Sequence, residues 1–174
     1  LRAPVVISNA AVWDTYNHLI PVGTVSSKEK EGAIGTPHSE SFMHLHLGIK
    51  GDGINLDKLG GHHVVVRNED ESISQPGNVC MISIASAWEP SLAPPGYHCI
   101  HAYTMEPFAG WERGPGYKEK KIERSEKLYE ALEVIIPDIR KRVVLELIAS
   151  PLSHQKWLRR YKAVSYTHLR AHET

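Results

Sequence analysis

The sequence predicts an α+β fold, a largely antiparallel sheet with helices packed on it. Three observations carry that prediction. Between Ser41 and Tyr103, short apolar runs separated by Gly, Pro and acidic turns read as strands, the first with strict period-two alternation. Lys118 to Ile136 instead places its apolar residues at helical spacing. The order of four strands, then helix, strand and helix suits a sheet layer covered by a helix layer.

Taken in order, Val5 to Asn9 predicts a strand, and Val12, Tyr16, Leu19 and Ile20 recur at helical spacing after it. Residues 1–20 are therefore expected to form one βα element. Residues 21–40 hold Gly and Pro breaks and the charged patch Lys28-Glu29-Lys30-Glu31, which marks a solvated connection or an edge helix. From Ser41 the period becomes two: Met43, Leu45, Leu47 and Ile49 occupy one face, and Phe42, His44, His46 and Gly48 the other. Gly51-Asp52-Gly53 and Gly60-Gly61 supply turns. Strands follow at His63–Val66, Val79–Ala85 and Tyr97–Tyr103. In the long helix, Ile122, Leu128, Tyr129, Leu132, Ile135 and Ile136 line one side, Glu123 and Lys127 pair four apart on the other, and Pro137 stops it. Val143 to Ile148 predicts a fifth strand, and Ser153 a cap for a last helix reaching Arg160.

Composition narrows the partners. The 174 residues carry 20 Lys+Arg against 20 Asp+Glu, a net charge of zero, which lacks the basic excess that nucleic-acid binding requires. No nucleic acid is expected. No apolar run approaches the roughly 18 residues of a membrane span, and no signal region opens the chain. The start at Leu1, running directly into Val5-Val6-Ile7, reads as an interior slice of a longer protein. Residues 164–174 look like a translated sequencing-library adapter, and a non-native tail is expected there.

Few constellations carry chemistry. His44 and His46, two apart on a strand, point the same way and offer two metal ligands, with His62 or His63 as a third. No carboxylate sits at a ligand spacing and two histidines on a polar strand face are commonplace, so no metal is assigned. His98 and His101, three apart, point to opposite faces. Gly51-Asp52-Gly53 lacks the third Gly of a phosphate loop and reads as a turn. Cys80 and Cys99 are placed on adjacent strands, where they could face each other, and read as inert core thiols. Residues 139–162 hold seven Lys/Arg and one acid, which fits an anionic lipid surface, a cofactor phosphate or a solvated flank. No catalytic residue emerges from residue types alone.

Read in series, the strings resemble a known family. Val6-Ile7-Ser8-Asn9-Ala10, Ser41-Phe42-Met43-His44-Leu45-His46-Leu47-Gly48-Ile49, His62-His63-Val64-Val65-Val66 and Pro90-Ser91-Leu92-Ala93-Pro94-Pro95-Gly96 are similar to stretches of the carotenoid isomerases (prolycopene isomerases). So are His101-Ala102-Tyr103-Thr104, Glu123-Arg124-Ser125-Glu126, Ile136-Pro137-Asp138-Ile139-Arg140 and Pro151-Leu152-Ser153-His154-Gln155. These flavoproteins form the plant and cyanobacterial branch of the phytoene-desaturase-like enzymes. The resemblance covers nearly all of residues 5–162 in consistent order.

It implies a two-domain enzyme. Residues 1–20 would belong to the FAD-binding domain and residues 21–163 to a partial substrate domain, with the Gly-rich nucleotide fingerprint outside this stretch. The implied reaction is cis-trans isomerisation of poly-cis lycopene to all-trans lycopene with reduced FAD, at a plastid or cyanobacterial membrane surface. Ser8, Asn9 and Ala10 would be cofactor neighbours at a strand end. Phe42, Met43, His44, Leu45, His46 and Leu47 would belong to the sheet beside the carotenoid, with the lining face open and core packing the alternative for the apolar set. The piece alone is expected to be inactive and poorly soluble. A desaturase or retinol-saturase-like oxidoreductase, and a metal- or lipid-binding module without catalysis, are the other readings.

Overall fold

The computed structural model describes residues 3–164. Five strands form one sheet: β1 (Ser41–Lys50), β2 (His62–Val66), β3 (Val79–Ser83), β4 (Tyr97–Glu106) and β5 (Val143–Ala149). Their spatial order is β2-β3-β4-β1-β5, and every neighbouring pair is antiparallel. The expected α+β fold, with its four strands and a fifth after the long helix, is the one observed.

The central strand explains the architecture. Met43, Leu45, Leu47 and Ile49 are all buried, whereas the residues between them are half-buried or exposed. Strand alternation thus puts an aliphatic face on one side and a histidine-bearing face on the other. Helix α4 (Tyr117–Ile135) covers the aliphatic face, with Leu128, Tyr129, Ala131 and Leu132 joining the strands in a single core. Burial of each such Leu or Ile contributes about 1.5–3 kcal/mol. Ile122, expected on the buried side of α4, is exposed instead: the buried face of the helix runs through Ser125, Leu128, Tyr129 and Leu132, with Tyr117 packed against the core. Lys127 reaches back to donate to the Pro76 carbonyl at 3.0 Å.

The last helix starts earlier than expected. It spans Pro151–Leu158 (α6, counting the short α5 at Ile139–Arg142) and is capped by Ser150, with Ser153 returning a hydrogen bond to the Ser150 N–H at 3.2 Å. Ser153 is therefore the reciprocal partner in a capping box, and Pro151 at the first helical position fixes the start.

The amino-terminal strand does not form. Residues 5–9 pair with no strand, and Val5, Val6 and Ile7 are exposed. An extended run becomes a strand only by hydrogen bonding to a neighbour, and no described segment offers one. The helical expectation after it holds in shortened form: α1 (Val12–Asp14) passes into a π-type stretch at Thr15–Leu19. The charged patch forms the exposed helix α2 (Ser27–Ile34) with Ser26 as its cap. Gly51-Asp52-Gly53 is the expected turn and leads into the four-residue helix α3 (Leu56–Leu59).

A second small cluster joins the two ends of the described chain. Trp13 stacks on Tyr161 at 5.3 Å between ring centroids and donates its indole N–H to the Ile34 carbonyl at 3.0 Å. The Asp14 carboxylate accepts the Tyr161 N–H at 3.0 Å. Val164, first residue of the expected adapter tail, is buried with Ala11 and Trp13, and the rest of that tail lies outside the described residues.

Candidate functional site

With α4 on one side of the sheet, the histidine-bearing side stays open at its centre. The β1–β4 register sets His46 directly opposite His101 and His44 opposite Tyr103. The four rings stack: His46 on His101 at 4.3 Å between centroids, His44 on His101 at 5.0 Å, and Tyr103 beside both histidines. Helix α6 adds His154, which stacks on His44 at 4.2 Å. His44 Nδ1 and His101 Nε2 lie 2.7 Å apart, so one ring donates a proton that the other accepts. Phe42 closes the group edge-on to Tyr103 and His44.

These histidines are held neutral. Burial, then repulsion from His154, His101 and His46, pushes His44 down to about 3. Burial, then His46 and His154, pushes His101 down to about 4. His46 is lowered by burial, and His154 by burial and then by the Arg160 charge. The buried His44 Nε2 and His154 Nδ1 have no hydrogen-bond partner.

Beside this stack lies an open trough of about 590 Å³, within the size range of ligand pockets. Its walls include Leu92, Pro94, Ile100, Leu145, His46 and His101, and no Asp, Glu, Lys or Arg lines it among the described residues. Gly48 makes the β5 wall: a Cβ there would meet the Leu145 Cβ at 3.2 Å, so the missing side chain lets Leu145 settle over β1. Leu145 and Leu147 stay more than half exposed on this face. The trough is thus a hydrocarbon surface with an uncharged imidazole end.

The expected site residues divide between the two sides. Phe42, His44 and His46 belong to the open face, whereas Met43 and Leu45 are sealed in the core and Leu47 contributes chiefly there. Ser8, Asn9 and Ala10 are exposed, and Ser8 bonds only locally, to the Thr15 hydroxyl at 2.9 Å and to the Ala10 N–H. The third histidine is not His62 or His63, since β3 and β4 separate β2 from β1; it is His101. His98 sits on the opposite parity from His101, as expected, near the Ser86 hydroxyl. Cys80 and Cys99 do not face each other: Cys80 opposes Thr104, five residues and one face away from Cys99. Of the basic residues at 139–162, Arg140 is paired with Glu126 and Glu133, and Arg142 with Asp138, which reduces the charge left for an anionic surface.

The described residues do not make a nucleotide cradle. A Cβ at Gly51 would meet His98 Nε2 at 2.7 Å, so that glycine makes room for a side chain of the chain itself, and the helix beyond it has four residues.

The chain is similar to proteins of one name. Over 161 residues, 91% of the chain, it is 30% identical to prolycopene isomerase 2, chloroplastic, of an Oncidium hybrid cultivar. It is 27% identical over 92% of its length to prolycopene isomerase, chloroplastic, of Arabidopsis thaliana, and 28% over 89% to that of Daucus carota. Along about nine-tenths of its length the chain is thus similar to prolycopene isomerases. It spans about a quarter of the length of these relatives, 26–27%. No protein-family model matches it.

Sequence reasoning missed His101, Tyr103, His154 and Leu145 as parts of one site. The alternation of β4 was visible in Cys99, His101 and Tyr103, but only the register against β1 brings them to His44 and His46.

Proposed function

We propose that this chain is part of a carotenoid cis-trans isomerase that converts poly-cis lycopene to all-trans lycopene. The observation that carries the reading is similarity to prolycopene isomerases along about nine-tenths of the chain. The trough supports it. A polyene offers no charge or hydrogen-bonding group, so its binding rests on apolar burial, about 0.8 kcal/mol per CH₂. Walls of Leu, Ile, Pro and Ala without a charged side chain supply that surface, beside the uncharged rings of His46 and His101.

In this reading residues 21–163 are a partial substrate domain and residues 1–20 an element of the cofactor domain. Reduced FAD supplies the electron density that transiently lowers a double bond's order, and it is held chiefly by parts of the full-length enzyme other than the described residues. The trough's share is to bind and align the polyene and to exclude water from it. The enzyme works at a plastid membrane surface, where its substrate is dissolved, and the isolated chain is inactive.

The test is uptake of poly-cis lycopene by the purified chain in mild detergent, read as carotenoid absorbance co-eluting with protein. Wild type should retain the pigment, and Leu145→Asp, a change at an exposed wall residue, should release it. Equal retention by both would overturn the assignment of the trough. For the reaction, residues 5–163 should replace the matching segment of the Arabidopsis enzyme and yield all-trans lycopene without added double bonds. Products with added double bonds from a folded chimera would favour a desaturase.

A further inference from the structure

We propose that His44, His46 and His101 form a three-histidine site for a divalent transition-metal ion of the zinc class at one end of the apolar trough. One ring nitrogen from each lies within 4.8 Å of the other two. Zinc–imidazole bonds of about 2.0–2.1 Å in a tetrahedral site place ligand nitrogens about 3.4 Å apart. Side-chain rotation that opens the His44–His101 pair from 2.7 Å and swings the His46 ring toward it reaches that spacing.

The backbone is already committed. His46 and His101 face each other across the β1–β4 ladder and His44 lies on the diagonal, so three ligands come from two paired central strands rather than from a loop. His44 Nδ1 and His101 Nε2 already face each other at 2.7 Å; when an ion binds, the donor ring carries its hydrogen on its other nitrogen instead, so that both facing nitrogens offer lone pairs to the ion. His154, stacked on His44, acts as a positioning residue. An all-imidazole set without carboxylates selects Zn²⁺, Co²⁺ or Ni²⁺ over Ca²⁺ or Mg²⁺. His46 and His101 also line the trough, so the coordination position left by three protein ligands adjoins the hydrocarbon surface. This inference does not rest on the carotenoid reading.

The experiment is Co²⁺ titration of the chelator-treated full chain in mild detergent, read from visible d–d absorption, followed by Zn²⁺ competition. One Co²⁺ per chain with four-coordinate bands, displaced by Zn²⁺, is expected. Loss of an outer-shell partner weakens metal sites about 10–100-fold, so loss of a ligand should cost at least about 100-fold. His46→Ala, at an exposed ring, and His101→Gln should both show that loss. His62→Ala with His63→Ala, and His168→Ala with His172→Ala, should change nothing. Zn²⁺ should also raise the melting temperature of wild type and leave that of His46→Ala unmoved. Absence of saturable binding, or binding that survives His46→Ala, or binding lost with His168 and His172, would overturn the site.

Discussion

His44 on β1 and His101 on β4 share a proton across 2.7 Å, although 57 positions separate them in the chain. This contact ties the two longest strands on the side that α4 leaves uncovered. It also joins uncharged rings to an aliphatic wall, so the open face can receive a hydrocarbon without stranding a buried charge.

Stability of the metal-free chain should fall as pH drops from about 6.5 toward 4.5. His44 and His101 have folded-state values of about 3 and 4, below the ordinary histidine value near 6.5. Between those limits the unfolded chain binds more protons than the folded one, so stability rises with pH and is complete above about 6.5. Melting temperatures in chelator at pH 7.5 and pH 5 check this. His44→Gln should reduce the difference, and equal melting temperatures at both pH values would contradict the burial of these rings.

The two cysteines should behave differently toward a thiol reagent. Cys80 is fully buried, its thiol pushed up chiefly by burial, and its Sγ lies 3.7 Å from the Lys127 carbonyl. Cys99 is half-buried and lines the trough. One thiol per folded chain should react quickly, two in denaturant, and Cys99→Ser should remove the fast one. Alkylation of Cys99 should lower carotenoid uptake by narrowing the trough.

How much was legible in the sequence depended on whether the relevant contact was local. The two faces of β1 could be read because Met43, Leu45, Leu47 and Ile49 alternate with polar residues inside one strand, and α4 because its period is internal to it. His101 could not be joined to His44, because strand register across long connections is set by tertiary packing rather than local pattern. Residues 5–9 have strand-like composition, yet a strand is a relation between two segments and no described segment pairs with them. The choice of His62 or His63 as third ligand failed for the same reason: the sheet order places β2 at the far edge.

Ser150→Ala should destabilise the chain by about 1–2 kcal/mol, at the upper part of the range for a lost helix cap. Ser150 is fully buried, and its hydroxyl also lies 2.7 Å from the Tyr117 hydroxyl, which ties α6 to the start of α4. Ser153→Ala removes only the reciprocal bond and should cost less. Denaturant midpoints of the two variants, with unchanged slopes, measure the difference, and a larger loss for Ser153→Ala would reverse the assignment of the cap.

Leu45→Ala and Leu145→Ala make the same chemical change on opposite sides of the sheet. Leu45 is completely buried among the residues that α4 covers, so its truncation leaves a cavity and should cost about 2–5 kcal/mol. Leu145 is 57% exposed on the trough wall and should change folding stability by less than about 1 kcal/mol. Hydrocarbon affinity should show the opposite order, because only Leu145 presents its methyl groups to a ligand in the trough. Paired melting and pigment-retention measurements on the two variants decide the matter: if Leu145→Ala proved the more destabilising and kept its pigment, the exposed aliphatic face would be a packing surface, and the trough would not be where the polyene lies.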